Sequence, residues 1–69
     1  MRYSVNYNGA LFTDDREGVN TFYTDSFAEA MALLSDIISY GIDMMAYLQD
    51  EEYQCSLYWD EREKEFYWN

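Results

Sequence analysis

The chain has 69 residues, 14 acidic and four basic, with no histidine, no proline and one cysteine, for a formal charge of −10 at pH 7. These counts exclude a disulfide scaffold, histidine acid–base catalysis and Cys/His zinc sites, and the charge repels nucleic-acid phosphates and anionic membranes. Aromatic residues make up 20% of the chain, too many for a disordered acidic tail, so residues 1–69 are read as one folded domain despite their self-repulsion.

Arg2 to Tyr7 alternates strictly, with Tyr3, Val5 and Tyr7 on one face and Arg2, Ser4 and Asn6 on the other, which predicts a half-buried strand. Asn8-Gly9 suits a tight turn, or Leu11-Phe12-Thr13 continues the strand past a bulge at Gly9. Asp14-Asp15-Arg16-Glu17-Gly18 reads as a loop, and Val19 to Thr24, rich in β-branched and aromatic residues, as a second strand.

Ser26 with Glu29 forms a capping box, and Phe27, Ala30, Met31, Leu34, Ile37 and Ile38 follow at helical spacing. Gly41 then supplies a left-handed stop, so a helix is expected over Phe27 to Tyr40. The run Ile42 to Leu48 is read as a third strand ending in the acidic turn Asp50-Glu51-Glu52. Tyr53, Cys55, Leu57 and Trp59 alternate against Gln54, Ser56 and Tyr58 as a fourth strand, Asp60 to Lys64 turns, and Glu65-Phe66-Tyr67-Trp68 is a fifth. No repeats or linkers stand out. The expected fold class is α+β: an antiparallel sheet of about five strands with one amphipathic helix on one face, in the order β-β-α-β-β-β. Its other face is left open, so some Tyr or Trp side chains are expected in solvent.

Catalysis is not expected, since neither a His base nor a Gly-rich phosphate loop is present, and a one-helix domain has little material to wall a cleft. Neither cofactor nor metal is expected: the acidic loops lack EF-hand spacing, and Cys55 reads as a small buried hydrophobe. With no apolar run of the ~20 residues that a membrane span needs and no leader-like start, residence in the cytoplasm is the default expectation.

The acids gather in three groups, Asp14/Asp15/Glu17, Asp50/Glu51/Glu52 and Asp60/Glu61/Glu63/Glu65, at predicted turns and strand ends rather than at positions paired with the four basic residues, and are expected to be left unneutralised. Carboxylates along an extended strand would rise about 3.3 Å per residue, close to the roughly 3.4 Å charge spacing of one DNA strand. Such an array suits a basic nucleic-acid channel. Solubility is the plainer use of charge, though a magnitude of about 2 to 8 normally suffices for it. Tyr58, Trp59, Tyr67 and Trp68 are the candidate aromatic anchors beside these acids.

In size, acidity, the strand pair Tyr3–Thr24, the helix entry Asp25 to Ala32 and the closing strands Tyr53–Trp68, the chain resembles small anti-CRISPR proteins of phages and mobile elements. The resemblance implies a stoichiometric, DNA-mimicking inhibitor that acts in the cytoplasm of an infected bacterial host. Its partner would be the basic DNA-recognition surface of a CRISPR–Cas effector subunit. Acidic inhibitors of uracil-DNA glycosylase or restriction enzymes are a related possibility, although a glycosylase inhibitor usually adds an apolar pocket and none is identifiable in the sequence. The rival reading is a structural or regulatory interaction module, monomeric or homodimeric through its aromatic sheet face or an edge strand.

Overall fold

The computed structural model describes residues 1–8 and 19–69. Its elements are β1 (Tyr3–Asn8), β2 (Val19–Thr24), α1 (Phe27–Ser39), β3 (Tyr47–Asp50), β4 (Cys55–Asp60) and β5 (Glu65–Trp68). The strands form one antiparallel sheet in the order β2-β1-β3-β4-β5, with the helix packed on it, so the α+β reading holds. Because β2 and β3 both run antiparallel to β1, they are parallel to each other. Helix α1 is therefore a crossover passing over β1, which is why it covers one face only.

Strand parity sets the two faces. Tyr3 pairs with Thr24 and Asp50, Val5 with Phe22 and Leu48, Leu48 with Leu57, and Trp59 with Phe66, all on the helix side. Tyr3, Val5, Leu48 and Leu57 meet Ala30, Leu34 and Ile37 of the helix in the core, and Ala46 joins them. Burying a side chain such as Leu34 or Leu48 stabilises by roughly 1.5–3 kcal/mol. The helix packs on β1, β2 and β3, so the β4–β5 hairpin extends beyond its main footprint.

The helix begins as the sequence suggests, but with half of the expected capping box. The Glu29 N–H donates to Ser26 Oγ at 3.1 Å, whereas the Ser26 N–H donates to Thr24 Oγ1 at 3.1 Å, so a threonine takes the role assigned to the Glu29 carboxylate. At the other end Gly41 stands at φ +70, Gly41 N–H donates to Ile38 O and Ile42 N–H to Ile37 O. This is a Schellman stop with Tyr40 as the cap residue.

That stop displaces the expected third strand. Ile42 completes the helix cap, and Asp43 then turns the chain by accepting the Met45 N–H at 2.9 Å and the Asn8 N–H at 2.8 Å. Pairing starts at Tyr47, not Ile42. The fourth strand likewise starts at Cys55 because Tyr53 lies in the preceding turn, and Cys55 is half-buried. The expectations for Gly9, for Leu11 to Thr13 and for the loop of Asp14 to Gly18 fall outside the described residues.

Candidate binding surface

The face away from the helix is built by the remaining parity. One row crosses all five strands as Thr21, Asn6, Tyr47, Tyr58 and Tyr67. Its ring centroids are 5.3 Å apart for Tyr47 and Tyr58 and 5.9 Å apart for Tyr58 and Tyr67. The next row holds Tyr23, Ser4, Gln49 and Ser56. Tyr23 and Tyr67 are exposed, so the open face carries aromatic surface as expected.

A chain of hydrogen bonds links the polar members. Thr21 Oγ1 donates to Asn6 Oδ1 at 3.1 Å, Asn6 Nδ2 to Ser4 Oγ at 3.3 Å, and Ser4 Oγ to Glu51 Oε1 at 3.0 Å. The chain ends on a carboxylate, so Glu51 is held at one end of the tyrosine-bearing face. At the other end of the sheet Asp60 pairs with Glu65, on the same face as Tyr58 and Tyr67. The candidate acids among the described residues thus form two groups at opposite ends of the strands, separated by about 17 Å along β4 at the rise of an extended chain. They form no row along a strand, so the expected match to DNA charge spacing is not found among the described residues.

Several of these acids are also neutralised, contrary to expectation. Arg2 Nη2 bonds Asp50 Oδ2 at 3.1 Å and Arg2 Nε reaches Glu52 Oε2 at 3.2 Å, while Lys64 Nζ pairs with Glu61. Asp50 is the clearest correction. Only 4% exposed, it also accepts the turn amides of Glu52 at 3.0 Å and Tyr53 at 3.3 Å, so it belongs to the fold and is not a contact for a partner. Its hydrogen bond from Arg2 holds its carboxyl below the usual range, burial opposing, and the same bond raises Arg2. Glu61 is lowered by hydrogen bonds from Lys64 and then from Trp59, whose Nε1 donates at 2.8 Å.

Asp60 repeats the design of Asp50. It accepts the N–H groups of Arg62 and Glu63 at 3.0 and 3.2 Å, and Lys64 N–H returns to its carbonyl as Gln54 N–H returns to that of Asp50. Gln54 and Lys64 close the turns at φ 56 and 57. The shared signal is Asp-Glu-x-x-Gln/Lys at a spacing of ten, a short repeat overlooked when only hydropathy is followed.

The aromatic candidates divide. Tyr58 and Tyr67 are on the open face, but Trp59 and Trp68 are on the helix side, Trp59 edge-on to Phe66 at 4.9 Å and Trp68 stacked on Phe27 at 6.2 Å. Of the acids, Glu51, Glu52, Glu61 and Glu63 are exposed, Asp60 is half-buried, and Asp14, Asp15 and Glu17 lie outside the described residues. Tyr47 and Tyr23 were missed, because the sequence does not reveal which tyrosines are cross-strand neighbours.

An apolar groove does exist. It measures about 280 Å³ and is lined by Ser35, Ile38, Ser39, Trp59 and Phe66 where the β4–β5 hairpin runs past the helix. A depression of about 160 Å³ beside Asn6, Asn8, Asp43 and Tyr47 holds one carboxylate, that of Asp43, already occupied by backbone amides. Neither sets two free carboxylates across a cleft. No helix among the described residues is long and apolar enough to cross a membrane. Comparison with known proteins finds no matching family model, no similar curated protein and no similar solved structure.

Proposed function

We propose that this chain is a non-enzymatic inhibitor whose tyrosine-lined, carboxylate-fringed sheet face occupies a basic nucleic-acid-recognition surface and keeps DNA from it. The carrying observation is the row Tyr47–Tyr58–Tyr67 on a sheet face that no element among the described residues covers, with Glu51 fixed at one end and Asp60 and Glu65 at the other. Such a face suits arginine and lysine. Guanidinium groups stack on tyrosine rings and pair with carboxylates, and these are the same cations that hold phosphates in a nucleic-acid channel. The charge of −10 favours fast association, and the aromatic row would slow release. The target class is read as a CRISPR–Cas effector subunit, with other DNA enzymes of host defence sharing the same chemistry. A homodimer through this face is the weaker reading, because it would bring two strongly acidic surfaces together.

The test is competition for target duplex on candidate effector complexes at low and high salt, with wild type and Glu51→Lys/Glu52→Lys. Wild type is expected to displace DNA in a salt-sensitive manner. The double variant should lose at least about tenfold in potency with an unchanged circular dichroism spectrum, the scale set by truncating or reversing hot-spot contacts. Undiminished inhibition by the variant would remove the assigned surface. Binding to no effector, together with a salt-resistant dimer in light scattering, would favour the interaction module.

A further inference from the structure

The outer edge of β5 has a backbone pattern that decides what can pair with it. Ser56 and Asn69 exchange both backbone hydrogen bonds, N–H to O at 3.1 Å in one direction and 2.8 Å in the other. Bonded and non-bonded pairs alternate in an antiparallel ladder. Tyr67 and Glu65 therefore also turn their N–H and C=O groups toward β4, and Phe66 and Trp68 turn theirs outward. Among the described residues β5 is the last strand on its side of the sheet. It has neither a Pro nor an internal Lys to discourage a further strand, and Tyr67 and Trp68 are 46% and 48% exposed.

The two sides of this edge differ in chemistry. On the helix side Phe66 and Trp59 line the apolar groove with Ile38. On the other side stand Glu65 and Tyr67, at the end of the tyrosine row. We propose that β5 is a docking edge for an extended segment of a partner protein in which basic and apolar residues alternate, added as a sixth strand. Residues opposite Phe66 and Trp68 make the backbone bonds and point their side chains to the helix side, where the groove beside Phe66 takes an apolar one. Residues opposite Glu65 and Tyr67 point to the open face, where a Lys or Arg meets the carboxylate and the ring. Charge complementarity selects this occupant over a second copy, since each copy carries −10. The inference shares Glu65 and Tyr67 with the face of the effector reading but does not depend on that reading, because it rests on the outward backbone groups of Phe66 and Trp68.

The test uses a labelled octapeptide of alternating lysine and valine, with a second peptide of the same composition in separate blocks, followed by fluorescence anisotropy and by amide exchange in NMR. In the free protein the Phe66 and Trp68 amides are expected to exchange fast while Tyr67 and Asn69 are protected. The alternating peptide should protect Phe66 and Trp68 and bind at least about tenfold tighter than the block peptide, as main-chain pairing with side-chain alternation requires. Trp68→Pro should abolish binding while the sheet persists, because the N–H it removes is not part of the β4 ladder; retained circular dichroism checks this. Glu51→Lys/Glu52→Lys should leave peptide binding within a few-fold even where it destroys inhibition, which separates the two readings. Equal affinity for the block peptide, protection that leaves out Phe66 and Trp68, or a β5-mediated dimer in light scattering would each overturn the proposal.

Discussion

Asp50 serves the fold in two ways at once, closing the β3–β4 turn through the amides of Glu52 and Tyr53 and holding Arg2 beside it. Both uses require the carboxylate. Its folded-state pKa lies below the ordinary 3.8, so the unfolded chain takes up the proton first and acid favours unfolding. The contribution is present above about pH 4 and is lost as pH falls through the folded-state value. Asp50→Asn keeps a turn acceptor but loses the ion pair. It should melt below wild type at pH 7, with the gap closing as pH falls below 4. A gap that stayed constant from pH 7 to pH 2, measured by thermal melts, would show that the charge of Asp50 is not what matters. Glu61 shifts in the same direction, but its pair with Lys64 is exposed and adds little.

At the scale of elements, the two Asp-led turns place Gln54 and Lys64 in the left-handed region, where a side chain costs about 1–2 kcal/mol. Gln54→Gly removes that strain and one exposed side-chain bond to Glu51 O. It should stabilise by roughly 0.5–1 kcal/mol, raising the melting midpoint by about 2–8 °C, and an unchanged or lower midpoint in a thermal melt would reject this account. These turns also show how far the sequence could be read. Local signals were legible: the alternation of Tyr3, Val5 and Tyr7, the Ser26 cap, the helical stripe and the Gly41 stop each act within a few residues. What was hidden depends on partners distant in the chain. The start of β3 at Tyr47 is set by the helix stop and by the hydrogen bond of Asp43 to Asn8. The pairing of Asp50 and Glu52 with Arg2 joins neighbouring strands that are far apart in the chain, and the register that lines up Tyr47, Tyr58 and Tyr67 runs across three strands. Alternation already sets Trp59 against Tyr58 and Trp68 against Tyr67 in the sequence, yet only the register and the packing on Phe27 show that the two tryptophans are on the helix side.

For the whole molecule the dominant electrostatic quantity is the net charge of −10, which remains after the cations paired at Arg2 and Lys64 are counted. Self-repulsion on a domain this small should be relieved by screening. Raising sodium chloride from 0.01 to 1 M shortens the Debye length from about 30 to 3 Å. A gain of roughly 1 kcal/mol, or about 4–8 °C in melting temperature, is expected across that range. A flat or falling midpoint would mean that the ion pairs outweigh the repulsion. The same screening should weaken the proposed inhibition, so stability and activity are expected to move in opposite directions with salt.

The placement of the two indoles has an optical consequence. Trp68 stacks on Phe27 at the first turn of the helix, while Trp59 donates to Glu61 and lines the groove beside Ile38 near the helix's last turn. The chain therefore carries one tryptophan at each end of helix α1. A single-tryptophan variant reports on the docking of the helix entry or the helix exit separately, and comparing the two tells whether the layer opens as one body or peels from an end.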